Sequence, residues 1–290
     1  MERTCWCGNR QLVPFGPSYS LCATCETLVT CQDPGTALAR VDDDQTSFYG
    51  REYWLSHQLL DLKHPDIAQR ARTDLPERCI YWLRTTLRYL LPPARVLEVG
   101  SGPGAFVALL RWAGLDATGL ELSPWVVDYS RRTFDVPVLA GPVEDQEIEH
   151  QSLDAIVMMD VLEHLPDPVG TMRRCLRLLK REGVLIVQTP RLPHGKSYQR
   201  LVDDADPFLE MLKADEHLHL FSDQSVRRFF SELGVNEVVF EPAIFAHIGD
   251  QPLARTTSVD LGGGLGTHSQ ARAGVHHHFK REAVAVEQAS

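Results

Sequence analysis

An acid–histidine pair late in the chain has the composition of a proton-transfer site. The segment from Ala214 to Ser222 reads ADEHLHLFS, which places Glu216 beside His217 and a second histidine at His219. Histidine takes up a proton near neutral pH, and an adjacent carboxylate can orient the ring and raise its basicity. Spacing alone does not separate this chemistry from a solvated turn, so the interpretation depends on the elements that surround the pair.

A second group of reactive side chains lies at the other end of the sequence. Cys5-x-Cys7 and Cys22-x2-Cys25 are two close pairs, and five of the seven cysteines fall within the first 31 residues. In a reducing compartment such a cluster indicates a metal site before a disulfide framework. Four thiolates close a tetrahedral site without an open position, so we expect structural Zn²⁺. Free core thiols are the alternative, and Cys31 could replace one ligand.

A glycine-rich loop joins an apolar segment to a helical pattern. The loop reads Glu98-Val-Gly100-Ser-Gly102-Pro-Gly104 and follows RVLEV directly. Glycines let the backbone turn sharply and let a ligand approach closely, and a helix N-terminus favours an anionic group. A second apolar segment ends in GLELSP, where Glu121 is placed to accept hydrogen bonds from ribose hydroxyls.

Strand and helix patterns alternate through the middle of the chain. The predicted strands are RVLEVG, ATGLEL, VPVLA, DAIVMMD and GVLIVQT, followed by the terminal strands VNEVVFE and AIFAHIG. This alternation predicts an α/β fold, a doubly wound Rossmann-like sheet of seven mostly parallel strands. Ligands of such sheets bind beyond the carboxyl ends of the strands, which is where the glycine loop lies.

Four motifs in order resemble the class I S-adenosylmethionine-dependent methyltransferases. They are VLEVGSGPGAFVALL, GLELSP, LDAIVMMDVLEHLPDP and GVLIVQTP, and the acid before the first glycine favours this cofactor over a nicotinamide dinucleotide. The resemblance implies an enzyme that binds S-adenosylmethionine. Pro142 stands where the family often has an adenine-reading acid. The implied contacts are Glu98, Gly100, Ser101, Gly102 and Gly104 for the methionine half, Glu121 for ribose, Leu122, Val143 and Glu144 for adenine, and Asp160 for the cofactor amino group.

Two kinds of methyltransferase with an N-terminal four-cysteine module are similar to this chain. The sugar methyltransferases of deoxysugar and surface-glycan pathways have tyrosines after the module and a Glu-His pair after the fifth strand. Here SFYGREYW supplies Tyr49 and Tyr53, which either contact substrate or pack between modules. The ribosomal RNA guanine methyltransferases should show a basic surface, and a net charge of -10 disfavours nucleic acid. We therefore expect methyl transfer to a hydroxyl of a sugar or glycan precursor.

Resemblance to the sugar enzymes assigns the proton-transfer roles. It implies that His217 is the general base, that Glu216 supports it, and that His164 binds a substrate hydroxyl. His219 is expected to be structural or to line the substrate site. The acceptor itself, the choice between oxygen and carbon, and the oligomeric state stay open at this stage.

A divalent-metal reading uses some of the same residues. Asp160, Glu163 and His164 fall at i, i+3 and i+4, so they share one face if the segment is helical. With His217 or His219 they could hold Mg²⁺ against substrate oxygens, as in some quinone and RNA-end methyltransferases. A third reading, without catalysis, treats the chain as a zinc-ribbon binding module with a retired cofactor fold.

Composition divides the chain into four expected regions. They are a zinc-binding module at 1–40, a helical linker or substrate lid at 41–94, the cofactor domain at 95–253 and a flexible tail at 254–290. No apolar run approaches the length of a membrane helix, and the N-terminus lacks the apolar core of a secretory signal. A small-molecule acceptor and a cytoplasmic location are the expectations.

Overall fold

The computed structural model describes residues 3–32, 38–74, 78–235, 237–241 and 282–287. The strands are β1 (Leu12–Phe15), β2 (Tyr19–Cys22), β3 (Leu28–Thr30), β4 (Arg95–Val99), β5 (Asp116–Glu121), β6 (Val138–Ala140), β7 (Leu153–Met159), β8 (Leu179–Thr189), β9 (His219–Leu220), β10 (Glu237–Glu241) and β11 (Glu282–Glu287). The helices are a π-helix (Tyr53–Asp61), α1 (Ile67–Asp74), α2 (Ile80–Tyr89), α3 (Ala105–Trp112), α4 (Pro124–Phe134), α5 (Pro168–Leu178), α6 (Tyr198–Asp203) and α7 (Asp223–Glu232).

The larger sheet has seven strands in the order β10-β11-β8-β7-β4-β5-β6. The pairs β8–β7, β7–β4, β4–β5 and β5–β6 are parallel, and β11 runs antiparallel to both of its neighbours. The predicted fold class, a Rossmann-like mostly parallel sheet, is confirmed. Its order changes direction at β4, and ligands bind at such switch points in open α/β sheets.

Apolar side chains cover both faces of this sheet. Val96 of β4 belongs to the buried cluster that contains Phe106 of α3. Its neighbour Leu97 belongs to the opposite cluster, which contains Phe229 of α7. Successive strand residues point to opposite faces, so near-continuous apolar runs are the signature of a strand buried on both sides. This is why the sequence located these strands.

A smaller antiparallel sheet contains the cysteine-rich segment. Its order is β1-β2-β3-β9, so three strands come from the start of the chain and the fourth comes from the ADEHLHLFS segment. The register pairs Leu28 with Leu220 and Val29 with His219. We call residues 3–32 the cysteine module. It shares a sheet with the segment that carries His217.

Part of the expected flexible tail at 254–290 is instead a strand of the large sheet. Residues Glu282–Glu287 form β11, which lies between β8 and β10 in the large sheet. An open strand edge presents unpaired N–H and C=O groups, and β11 satisfies those of β8. The predicted strand AIFAHIG and residues 254–281 lie outside the described residues. No helix in the described ranges is both long enough and apolar enough to span a membrane.

Candidate active site

A cavity of about 840 Å³ lies at the carboxyl ends of β4, β5 and β7. The loops after these strands form one side of it. The π-helix and the turn before β9 form the other side. The structure thus brings the glycine loop, the tyrosines and both candidate histidines to one space, although they are far apart in the chain.

The glycine loop has a backbone that other residues would not adopt easily. Gly100, Gly102 and Gly104 have φ values of 73°, 49° and 85°. A Cβ on Gly100 would also collide with the side chain of Val161, which follows β7. The loop therefore lies close to the Val161 side chain beyond the neighbouring strand, and its glycines leave a cradle on the cavity side.

Glu98 is buried at the base of this cradle with an unused acceptor. Its Oε2 has no hydrogen-bond partner within the described residues, and the same is true of the Ser101 hydroxyl. Burial, followed by the charge of Glu121, raises the pKa of Glu98 well above its usual range. A buried carboxyl oxygen without a donor is suited to an incoming cationic amino group, which would also stabilise the ionised form of Glu98.

Glu121 connects the loop to the strand that ends beside it. Its Oε2 accepts from the Gly102 N–H at 3.0 Å, and its Oε1 accepts from the Ser123 N–H at 3.2 Å. Burial raises its pKa, although those backbone hydrogen bonds act in the opposite direction. A carboxylate has about four acceptor sites, so Glu121 can still accept a ribose hydroxyl beside these backbone bonds.

The other expected cofactor residues line the same cavity. Leu122, Val143 and Glu144 lie on its wall, and the Glu144 Oε1 accepts from Thr171 Oγ1 at 2.5 Å. Asp160 follows β7 with a φ of 56°. Its carboxylate accepts from Gln188 Nε2 at 2.9 Å and from an Arg78 Nη1 at 3.2 Å. These contacts hold Asp160 on the wall beside the glycine loop.

The two candidate catalytic histidines contact each other in the cavity. The ring centroids of His164 and His217 are 4.8 Å apart. His217 Nδ1 donates to the Met211 carbonyl at 2.7 Å, so Nε2 is the nitrogen with a free lone pair. Burial lowers the pKa of His217, and burial followed by the charge of His217 lowers that of His164 to about 3. Both rings are therefore neutral at pH 7.

Glu216 has different partners from the one that the sequence suggested. Its Oε2 accepts from Tyr53 Oη at 3.1 Å, and its Oε1 lies 3.0 Å from His57 Nε2. The Met211 carbonyl takes the orienting position on His217, and Glu216 acts on that ring only through its charge. Consecutive side chains in this turn point in different directions, so the Met211 carbonyl and not the Glu216 carboxylate orients the His217 ring.

His57 is a site residue that the sequence reasoning missed. Its Nδ1 lies 2.7 Å from Asp61 Oδ2, so the imidazole bridges that carboxylate and Glu216. Burial lowers the pKa of His57, but the two hydrogen bonds outweigh it and the pKa is raised. The i, i+4 spacing of His57 and Asp61 was the signal available in the sequence.

Tyr53 begins the π-helix and Tyr49 lies just before it, and both line the cavity with the two histidines. The Tyr49 Oη is 2.9 Å from His164 Nδ1, and the two tyrosine rings are 5.0 Å apart. Burial raises the pKa of both hydroxyls well above the usual range, so both remain protonated donors. They line the cavity and also pack against neighbouring rings, so both expected roles are compatible with their position.

A possible metal-ligand group is smaller than the expected set. The ligand atoms of Glu163, His164 and His217 lie within 4.8 Å of one another. Asp160 is outside this group because Leu162–His164 is a single 3-10 turn and not the helix that the i, i+3, i+4 spacing assumed. His219 is also outside it, since β9 directs that residue to a second cavity beside Trp6 and Cys7.

The four cysteines of the expected zinc site converge. The sulfur atoms of Cys5, Cys7, Cys22 and Cys25 all lie within 4.8 Å of one another. Cys5 and Cys25 are separated by 3.5 Å, and Cys7 and Cys22 by 3.6 Å. A tetrahedron with Zn–S bonds of 2.3 Å has S–S edges of about 3.8 Å, so the donor set fits zinc. Cys31 is exposed and outside the group.

The sheet, the glycine cradle and the acid that ends β5 together define a class I S-adenosylmethionine-dependent methyltransferase. A family profile described as a methyltransferase domain matches residues 71–239. The chain belongs to this family. The expected enzyme class and its use of S-adenosylmethionine are therefore confirmed.

Curated relatives share part of the chain. The ubiquinone biosynthesis O-methyltransferase of Xanthomonas campestris pv. campestris (strain B100) is 37% identical over 108 residues, which are 35% of this chain and 45% of that enzyme. The enzyme of the same name from Actinobacillus pleuropneumoniae serotype 7 (strain AP76) is 31% identical over 133 residues, 42% of this chain and 56% of that enzyme. The chain thus spans about half the length of these relatives.

Solved structures share the fold. A SAM-dependent methyltransferase from Archaeoglobus fulgidus superposes with a TM-score of 0.51 at 14% identity, covering 81% of this chain and 99% of that chain. A second match is a chain from the complex between the Haloferax volcanii Trm112 methyltransferase activator and a methyltransferase. Its TM-score is 0.51 at 18% identity, and the match covers 77% of this chain and 95% of that chain. At these identities the likeness establishes the fold alone.

Proposed function

We propose that this enzyme methylates a hydroxyl group of a small molecule and that His217 is the general base. The observation that carries the proposal is the hydrogen bond from His217 Nδ1 to the Met211 carbonyl. It leaves the Nε2 lone pair for a substrate proton, and the lowered pKa keeps that nitrogen unprotonated at pH 7. The ring also lines the cavity that contains the glycine loop.

The residues would divide the reaction between them. S-adenosylmethionine supplies the methyl group and, as a sulfonium, a good leaving group. Glu98 would hold the cofactor amino group, and Glu121 the ribose. His217 Nε2 would take the proton of the acceptor hydroxyl while that oxygen receives the methyl group. His164, whose ring is bonded by Tyr49 at Nδ1 and by the backbone of Glu216, would line the space for the acceptor oxygen beside His217.

For the acceptor, we favour a hydroxyl of a sugar or glycan precursor. The support is the combination of a four-cysteine module, two tyrosines at the cavity and a Glu-His pair after the fifth strand of the predicted series. The names of the curated relatives instead favour a quinone or phenol precursor, which is the second acceptor class. A ribosomal RNA base is a third class, disfavoured by the net charge of -10.

A divalent ion at Glu163, His164 and His217 is a second mechanism. It is favoured by the mutual approach of their ligand atoms to within 4.8 Å. These residues would bind the ion, and it would lower the pKa of the acceptor hydroxyl. His217 would then be a ligand and not a base. Methyl transfer that survives exhaustive removal of divalent ions, with the cysteine metal intact, would exclude this mechanism.

The acceptor class is tested with labelled S-adenosylmethionine and a panel of nucleotide sugars, glycans, catechols and ribosomal RNA, analysed by mass spectrometry. On the accepted substrate, His217→Ala should lower turnover by about 10²-fold or more, because a positioned base contributes rate enhancement of this order. Cofactor affinity should not change. His194→Ala is the matched control, since that ring is 81% exposed. Normal turnover in His217→Ala would transfer the base role, with His164 the next candidate.

A further inference from the structure

The cysteine module supports the segment that carries His217 from behind. Strand β3 pairs with β9, and the Thr30 N–H donates to the Leu218 carbonyl at 3.1 Å. On the other side of the same residue, the Leu218 N–H donates to the Glu163 carbonyl at 2.7 Å. The segment is therefore a narrow layer between the module and the loop that carries His164.

Two side chains of the module bind the main chain of this segment. Tyr19 Oη donates to the His217 carbonyl at 2.8 Å. Thr30 Oγ1 donates to the Ala214 carbonyl, also at 2.8 Å. Tyr19 and Thr30 are each 1% exposed, so water cannot replace either hydroxyl without opening the module. The backbone of His217 is thus held by Tyr19, while its ring is held by Met211.

The module is fixed to the rest of the chain at further points. The ring of Trp6 meets Phe229 of α7 edge-on, with centroids 4.9 Å apart. An Arg228 Nη1 donates to the Thr24 carbonyl at 2.7 Å. These contacts lie on the side of the module that faces the methyltransferase domain. The module therefore packs on α7 of the methyltransferase domain, and the hydroxyls of Tyr19 and Thr30 contact the segment that carries His217.

We propose that the cysteine module positions the general base, with Tyr19 as the positioning residue for His217 and Thr30 as its partner at the start of the segment. This proposal rests on the proposed function of His217. The cysteines belong to the same structure, since Tyr19 and Cys22 bound strand β2, and Cys25 lies in the turn that leads to β3. A well-ordered thiolate cluster would therefore fix β2 at Cys22, and Tyr19 at the other end of β2 binds the backbone carbonyl of His217.

The primary test is Tyr19→Phe, which removes one hydroxyl from a buried ring. We expect kcat to fall about tenfold, while KM and cofactor affinity stay within twofold of wild type. In protein labelled with [13Cε1]histidine, the His217 resonance, assigned by its loss in His217→Gln, should shift. Tyr198→Phe is the matched control, because Tyr198 packs on Phe15 in the same apolar cluster, and among the described residues no hydrogen bond or ring contact joins it to His217.

A second pair of variants covers the case in which Tyr19→Phe does not fold. Thr30→Val removes the hydroxyl at nearly constant volume and should lower kcat with a shifted His217 resonance, whereas Thr30→Ser should restore both. A fall in kcat without a shift of the resonance would overturn the proposal, since the loss would then be structural. Normal kcat in both Tyr19→Phe and Thr30→Val would overturn it as well.

The His217→Gln variant distinguishes failure of the base assignment from failure of the positioning role. If His217→Gln retains turnover, His217 is not the base, whatever Tyr19→Phe does to its resonance. If His217→Gln loses turnover but Tyr19→Phe changes neither kcat nor the resonance, the base assignment stands and the positioning role fails.

Discussion

Glu121 shows how one side chain can fix a ligand cradle. Its oxygens bind the N–H groups of Gly102 and Ser123, so the carboxylate orientation is set before any ligand arrives. We predict that Glu121→Ala weakens S-adenosylmethionine binding about 10- to 100-fold, because hydrogen bonds to a charged group contribute about 1.5–3 kcal/mol each. Calorimetric titration measures this. Glu149→Ala, at an exposed position, is the control, and equal affinities in the two variants would contradict the role of Glu121.

His219 predicts how stability responds to pH. An unfolded chain protonates histidine near pH 6.5, whereas burial lowers the pKa of His219 to about 4 in the folded protein. Between these values the unfolded state binds more protons, so stability falls as pH falls, and the contribution is constant above pH 6.5.

We therefore expect His219→Gln to have a shallower loss of stability on acidification. The difference should be about 1.4 kcal/mol per pH unit between the two pKa values, which is the effect of one proton. Urea unfolding of both proteins at several pH values from 4.5 to 7.5 gives the slopes. Parallel slopes would show that His219 titrates normally. His194→Gln, at an exposed histidine, should keep the wild-type slope.

The roles of single residues could be predicted from the sequence when they depend on neighbours in the chain. The positive φ values of the glycine loop and the position of Glu121 follow from a local strand–loop–helix pattern. The partner of His217 could not be found this way, because a backbone carbonyl such as that of Met211 has no sequence signature. His57 was missed because its contact with Glu216 joins positions 159 residues apart.

Helix α7 begins with a reciprocal cap directly after β9. Ser222 Oγ accepts from the Ser225 N–H at 3.1 Å, and Ser225 Oγ approaches the Ser222 N–H at 2.8 Å. We predict that Ser222→Ala lowers the free energy of unfolding by about 1–2 kcal/mol, since a buried cap is lost. Ser231→Ala, at an exposed position in the same helix, should stay within about 0.5 kcal/mol of wild type. Chemical denaturation compares them, and equal effects would argue against the cap.

Strands and helices could be predicted when their own residue pattern specifies the element. Strands β4, β7 and β8 are apolar runs buried on both faces, and α4 and α7 have amphipathic patterns between turn residues. Strand β9 has only two residues, and it exists because β3 pairs with it. Strand β11 likewise depends on its neighbours in the sheet. Such elements are consequences of tertiary structure.

On the scale of the whole molecule, the cysteine cluster should stabilise more than its own sheet. We predict that Cys22→Ser lowers bound zinc from about one ion per chain to well below that value and lowers the melting temperature. Thiolate coordination contributes directly to folding free energy in small metal modules. Elemental analysis and calorimetry measure both quantities. Cys31→Ser is the control, since Cys31 lies outside the cluster. Equal zinc content in the two variants would reject the site.

The shared sheet of the cysteine module also has a consequence for biosynthesis. Val29 of β3 pairs with His219 of its neighbour β9, and these two partners lie 190 positions apart in the chain. At about 5–20 residues per second, a ribosome needs roughly 10–40 s to cover that distance. During this interval the nascent module has only three strands and its own thiols to hold it. Early capture of a metal ion would protect those thiols from oxidation until the last strand is synthesised.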